Sequence, residues 1–119
     1  MKYKIENYEY FDERAGMIKI VPSLYIEDHE QYGDYFLTEI LNLSLDYLIE
    51  IVFYLEQLFE GKEEQYDFGY EVYSIECKKD ISQVIDTFNE WKCIAEIPTE
   101  ELYELTRDWR NYLIKFQNC

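Results

Sequence analysis

Few side chains in this chain have the type and spacing for covalent or acid–base chemistry. The one histidine, His29, lies in the acidic run Glu27-Asp28-His29-Glu30. A loop imidazole among carboxylates is a solvated group unless a second side chain positions it for proton transfer. The three cysteines, Cys77, Cys93 and Cys119, are odd in number and far apart. They form no Cys-x-x-Cys motif and read as thiols of a reducing compartment rather than a disulfide framework. Nothing in spacing makes Cys77 and His29 a nucleophile pair. The glycines at 16, 33, 61 and 69 are isolated, so there is no phosphate-cradling loop, and no His-Glu-x-x-His metal motif occurs. The run Glu27-Asp28-x-Glu30 does not match the ligand spacing of a helix-loop-helix calcium site. With 26 acidic residues, some carboxylate pair will fall at a glycosidase-like separation by abundance alone, and without a cleft that carries no information. The expectation is a protein that is not an enzyme and holds no metal or cofactor.

The carboxylates matter instead as a field. There are 26 acids against 11 bases, a formal net charge of −15, and the excess is segregated. Residues 1–19 hold four bases and four acids, residues 20–77 hold fourteen acids and the single base Lys62, and residues 78–119 hold six bases and eight acids. Binding to nucleic acid needs the opposite sign, because affinity comes from neutralised phosphates. Anionic membrane surfaces are disfavoured likewise. The expected partners are basic proteins, with neither nucleic acid nor membrane bound directly. The chain is not a disordered acidic tail, since 48% hydrophobic and 18% aromatic residues are enough to build a core. Its 119 residues suit one domain, 1–119.

Two clusters combine carboxylates with tyrosines. The first is Glu27, Asp28, Glu30 and Asp34, with Tyr25, Tyr32 and Tyr35 among them. The second is Glu60, Glu63, Glu64, Asp67 and Glu71, with Tyr66, Phe68, Tyr70 and Tyr73. Carboxylates steer a cationic partner, and tyrosines supply rigid contact area with a hydroxyl. The candidate partner-binding residues are therefore Glu27, Asp28, Glu30, Asp34, Glu60, Glu63, Glu64, Asp67, Tyr66, Tyr70 and Tyr73. The competing reading is a solvated acidic face with half-packed tyrosines.

The elements that must position these residues follow from periodicity. Residues 3–26 read as a hairpin turning at Asp12-Glu13-Arg14-Ala15-Gly16, with Pro22 marking an edge. Apolar residues Leu37, Ile40, Leu41, Leu45, Leu48, Ile49, Val52, Leu55 and Phe59 then recur at helical steps up to Gly61. Asp34 and Ser44 are both suitable caps. The pattern favours helix from Asp34 onward, with a strand over 35–41 as the alternative. Residues 70–77 alternate as one strand, 81–88 as its partner across Lys78-Lys79-Asp80, and 93–97 as a last strand. Pro98-Thr99-Glu100-Glu101 opens a second helix, capped by Thr99 and striped by Leu102, Leu105, Trp109, Leu113 and Phe116. The expected fold is α+β: an antiparallel sheet of two hairpins plus a short strand, with a long central helix and a C-terminal helix packed on one face. The start at Met1-Lys2-Tyr3-Lys4 leads into a strand rather than a signal-peptide apolar run. The apolar stretch 35–59 is broken by Glu39, Asp46, Glu50 and Glu56 and cannot span a bilayer. A cytoplasmic location is expected.

The residues Tyr70-Glu71-Val72-Tyr73-Ser74-Ile75-Glu76, then Lys79-Asp80-Ile81, then Ile97-Pro98-Thr99-Glu100-Glu101-Leu102 and Arg107-Asp108-Trp109, resemble the C-terminal half of small immunity proteins of bacterial polymorphic and contact-dependent growth-inhibition toxin systems. The resemblance covers residues 70–119 and rests on texture rather than a diagnostic motif. It implies a cytoplasmic antidote that binds a cognate toxin domain, often a nuclease, and blocks its active site; no single functional residue carries over. The alternatives are a DNA-mimicking anti-defence protein and a regulatory protein-interaction domain. Sequence leaves the oligomeric state open.

Overall fold

A computed structural model describes residues 2–27, 40–70 and 73–117 of the chain. The elements in order are β1 (Tyr3–Asp12), β2 (Met17–Ile26), α1 (Leu45–Phe59), β3 (Tyr66–Tyr70), β4 (Tyr73–Cys77), β5 (Ile81–Asp86), β6 (Lys92–Pro98) and α2 (Thr99–Gln117). Among the described residues, the α+β architecture with antiparallel pairing, a central helix and a C-terminal helix is the expected one. The strands divide between two sheets: β1 and β2 form a two-stranded ribbon, and β3-β4-β5-β6 form a four-stranded meander.

The first hairpin folds locally. Asp12 Oδ1 accepts hydrogen bonds from the backbone N–H of Arg14 (3.0 Å) and Ala15 (3.2 Å). Gly16 takes φ +65° and its N–H reaches Asp12 O at 2.8 Å, a left-handed position that glycine fills without steric cost. Lys19 Nζ lies 2.7 Å from Asp12 Oδ2. That contact, with the turn N–H donors, holds the Asp12 carboxyl below the usual range.

Helix α1 begins later than the apolar pattern suggests. Ile40 and Leu41 are helical, the chain then turns, and Ser44 caps a new helix by accepting from the Tyr47 N–H at 3.2 Å. An unbroken helix from Asp34 is thus corrected, and residues 34–39 lie outside the described part. The restart changes which residues are buried. The inward set is Leu48, Ile51, Val52, Leu55 and Leu58, while Ile49 is exposed. Gly61 ends the helix with φ +77°.

The strand expected over 70–77 is two strands. β3 and β4 form a tight hairpin in which Tyr66 pairs with Cys77, Phe68 with Ile75, and Tyr70 with Tyr73. Gly69 is required there, since a Cβ on it would lie 2.2 Å from Tyr73 O. The strand expected over 81–88 ends at Asp86, and the last strand runs Lys92–Pro98. Thr99 does not act as the expected cap. Its hydroxyl donates to Lys78 O at 2.5 Å and meets Ser82 Oγ at 2.8 Å, which ties the start of α2 to the β4–β5 turn.

One core joins these parts. Leu24 and Ile26 of the ribbon, the inward faces of α1 and α2, and Phe68, Ile75, Val84 and Ile97 of the meander are all buried together. Helix α2 lies against both sheets, and α1 packs on α2 and β3. Tyr3 and Tyr112 fasten the ribbon to α2 through hydrogen bonds to Asp108 (2.5 Å) and Asn7 respectively. Burial and then the Asp108 carboxylate raise the Tyr3 phenol well above its ordinary pKa.

Candidate functional site

Strand β3 is an edge of the meander, and the acidic residues gather on either side of it. On the outer face, pairing register places Asp67 opposite Glu76, Glu76 opposite Gln83, and Gln83 opposite Glu96. Alternation forces this arrangement, because the intervening residues Phe68, Ile75, Cys77, Val84 and Ile97 are taken into the core. Like charges directly opposite on neighbouring strands destabilise a sheet, so Asp67 facing Glu76 is an unfavourable placement within the free protein. Gln65 Nε2 donates to Asp67 Oδ1 at 2.9 Å. A depression beside this row is lined by Glu64, Gln65, Glu76, Gln83 and Glu96 together with Lys78, Lys79, Asp80 and Ile81.

On the other side of the β3 edge lies the exposed face of α1. Asp46, Ile49, Glu50 and Phe53 follow at helical spacing, with Ile49 43% and Phe53 52% exposed. Phe53 meets Tyr54 edge-on at 5.2 Å, and Tyr54 stacks on Tyr66 at 4.8 Å. Burial, then the electronegative neighbours Tyr47 and Glu50, raise the Tyr66 phenol well above its ordinary value, so it stays a neutral donor. The edge itself is closed by a side chain. Tyr47 Oη accepts from the Gly69 N–H at 3.1 Å and donates to Gly69 O at 3.3 Å, occupying the groups an incoming strand would pair with.

The candidate residues named from sequence fall out as follows. Glu60, Glu63, Glu64 and Asp67 are exposed along the end of α1, the following loop and β3. Lys62 Nζ lies 3.0 Å from Glu60 Oε2 and offsets that acid. Tyr66 and Tyr73 are half-buried and pack on the core, so they support the surface more than they form it. Tyr70 closes β3, and its side chain lies outside the described residues, as do Glu71, His29 and the cluster members Asp28, Glu30 and Asp34. Glu27 ends the first hairpin and lies 3.3 Å from Lys4 Nζ. Sequence reasoning missed Asp46, Glu50, Phe53, Glu76 and Glu96. The last two could have been found by writing the β4 and β6 alternation against the Asp67 position.

A different exposed feature is the β5–β6 turn. Phe88 is 80% and Trp91 64% exposed, and Glu90 and Trp91 both hold φ +57°, a conformation costly for side-chain-bearing residues.

Among the described residues no group of three or more histidine, cysteine and carboxylate side chains could hold a metal ion. None of their helices is long and apolar enough to cross a membrane. Cys77 is buried, and burial pushes its thiol up to about 12. No protein-family model matches the chain, and no curated protein or solved structure matches it.

Proposed function

We propose that this chain is an immunity protein of the cytoplasm that neutralises a basic toxin domain, with a nuclease as the class of toxin that fits best. The observation carrying this reading is the row Asp67–Glu76–Gln83–Glu96, in which Asp67 and Glu76 stand directly opposed, together with an exposed apolar and aromatic patch on α1 across the β3 edge. Opposed carboxylates repel in the free protein, Lys78 and Lys79 in the same depression offset part of that, and a cationic partner relieves the rest on docking. A nuclease site is basic because it holds a polyanion, and a surface of carboxylates can occupy the positions that phosphates take. Ile49 and Phe53, backed by the half-buried Tyr54–Tyr66 stack, give the contact the desolvated centre that charge alone does not provide.

The test is titration of this protein into the product of the adjacent gene, measured by calorimetry at low and high salt. The reading expects a one-to-one complex that forms faster and more tightly at low salt. It expects loss of that product's toxicity on co-expression. A neighbour that neither binds nor poisons cells in the absence of this protein would end the proposal. Retrieval of a host DNA-binding protein instead would transfer the acidic face to phosphate mimicry.

A further inference from the structure

Beside the acidic row stand two ammonium groups. Residues 20–77 hold fourteen acids against Lys62 alone, and Lys62 is closed on Glu60 at 3.0 Å. The chain then sets Lys78 and Lys79 next to each other in the β4–β5 turn. Both are exposed, and both line the same depression, of about 570 Å³, as Glu64, Glu76, Gln83 and Glu96. The turn that carries them is fixed from two sides. The Lys78 N–H donates to Ile81 O at 3.1 Å, which closes the turn. From the start of α2, the buried Thr99 donates its hydroxyl to Lys78 O at 2.5 Å and its N–H to Asp80 O at 3.1 Å. The core therefore sets the backbone of both lysines, and only their side chains are left to rotate. Among the described residues Lys4, Lys19, Lys62 and Arg107 are each held by a carboxylate, whereas neither Lys78 nor Lys79 is.

We infer that Lys78 and Lys79 are specificity-determining residues of the proposed docking face. They reject surfaces that are cationic throughout and select a basic partner that sets an anionic group beside its cations. This rests on the immunity reading and describes the partner's charge pattern more closely. Like charges brought together across an interface cost affinity, and such juxtaposition excludes wrong partners. A uniformly cationic surface that reaches Glu76 and Glu96 must also bring cations against Lys78 and Lys79, because all four line one depression. A depression of this volume is roughly 8 Å across, about one Debye length at physiological salt, so the two ammonium groups are felt throughout it. A carboxylate on the partner turns that penalty into attraction. Because neither lysine has to be released from a carboxylate of its own first, the contact forms without breaking an ion pair. A face that mimicked DNA would have no use for these lysines, since a nucleic-acid backbone presents negative charge alone.

The test compares the parent with a Lys78→Gln/Lys79→Gln variant by calorimetry at about 50 mM salt. Two probes are used: polylysine, which is cationic throughout, and the product of the adjacent gene. The variant should bind polylysine roughly threefold or more tighter than the parent does, and the adjacent product roughly tenfold or more weaker, with unchanged circular dichroism. Lys78→Arg/Lys79→Arg keeps both charges and should return the parent's behaviour with both probes. A polylysine affinity that does not rise in the Gln variant overturns the inference. An adjacent product bound as tightly or more tightly by the Gln variant overturns it too, because the lysines would then meet no anion on the partner. An adjacent product that does not bind the parent ends the immunity reading instead, and the polylysine comparison then decides alone whether the two lysines guard the acidic face.

Discussion

Tyr47 does at one residue what a neighbouring strand would otherwise do. Its hydroxyl both accepts from and donates to the backbone of Gly69, so the edge of β3 is satisfied at that residue without another chain. Tyr47→Phe leaves both groups of Gly69 without that partner and should cost about 1–2 kcal/mol of stability, read by urea denaturation. An unchanged midpoint would show that water serves equally well. The thiols separate in a similar way. Cys77 is buried with its pKa raised from 9.0 to about 12, burial being the main cause and the Ser82 hydrogen bond acting against it. A raised folded-state pKa contributes stability that is complete below pH 9 and eroded as pH rises towards 12. Cys93 is exposed. In a Cys119→Ser variant at pH 8, an aromatic disulfide reagent should therefore meet one fast thiol, Cys93, and reach Cys77 only on unfolding. Two fast equivalents would contradict the burial of Cys77.

At the scale of elements, the β3–β4 hairpin decides whether the acidic row exists. It is the pairing of β3 with β4 that sets Asp67 against Glu76, and Gly69 permits that pairing by leaving room for Tyr73 O. Gly69→Ala should cost at least about 2 kcal/mol and weaken partner binding with it, measured by denaturation and calorimetry on the same sample. Retention of both would mean that the hairpin relaxes around the new methyl group. The same element marks where the sequence was hardest to read. Strand alternation ran legibly through Tyr73, Ile75 and Cys77, and the first hairpin was plain from its turn residues. Tyr66 and Phe68, however, belong to a separate strand whose turn contains no glycine–asparagine type signal. A close backbone approach, rather than a positive φ, is what requires Gly69, and such a contact is tertiary in origin. The start of α1 was ambiguous for a different reason: Asp34 and Ser44 were equally good caps, and apolar spacing continued through the break at residues 42–44. Ile49 fits that apolar spacing yet lies exposed on α1. Glu76 and Glu96 escaped notice because their row emerges only when the alternation of β4 and β6 is set in register against Asp67.

At the scale of the whole molecule, shape and charge both depart from those of an ordinary small domain. The radius of gyration is 15.5 Å and the extents are 49 × 32 × 23 Å, against roughly 13.5 Å for a compact chain of this length. A ribbon with ten-residue strands reaches roughly 34 Å, and its outer half extends past the core. The acidic excess lies in residues 20–77, which include α1 and β3, whereas residues 1–19 balance four acids with four bases. Repulsion within the acidic face lowers the stability of the free protein and strengthens a complex with a cation-rich partner. Glu76→Gln should therefore move the two properties in opposite directions. Removing one of two opposed carboxylates should stabilise the sheet by about 0.2–1 kcal/mol while weakening the complex.

The most direct test compares the parent protein with a Glu64→Gln/Asp67→Asn/Glu76→Gln variant. Each is titrated calorimetrically into the product of the adjacent gene, the proposed partner, at about 50 and about 500 mM salt. The proposed docking face predicts at least a tenfold loss of affinity in the variant at low salt, a gap that narrows at high salt, and a variant no less stable than the parent. Equal affinity of the two proteins at low salt would contradict it.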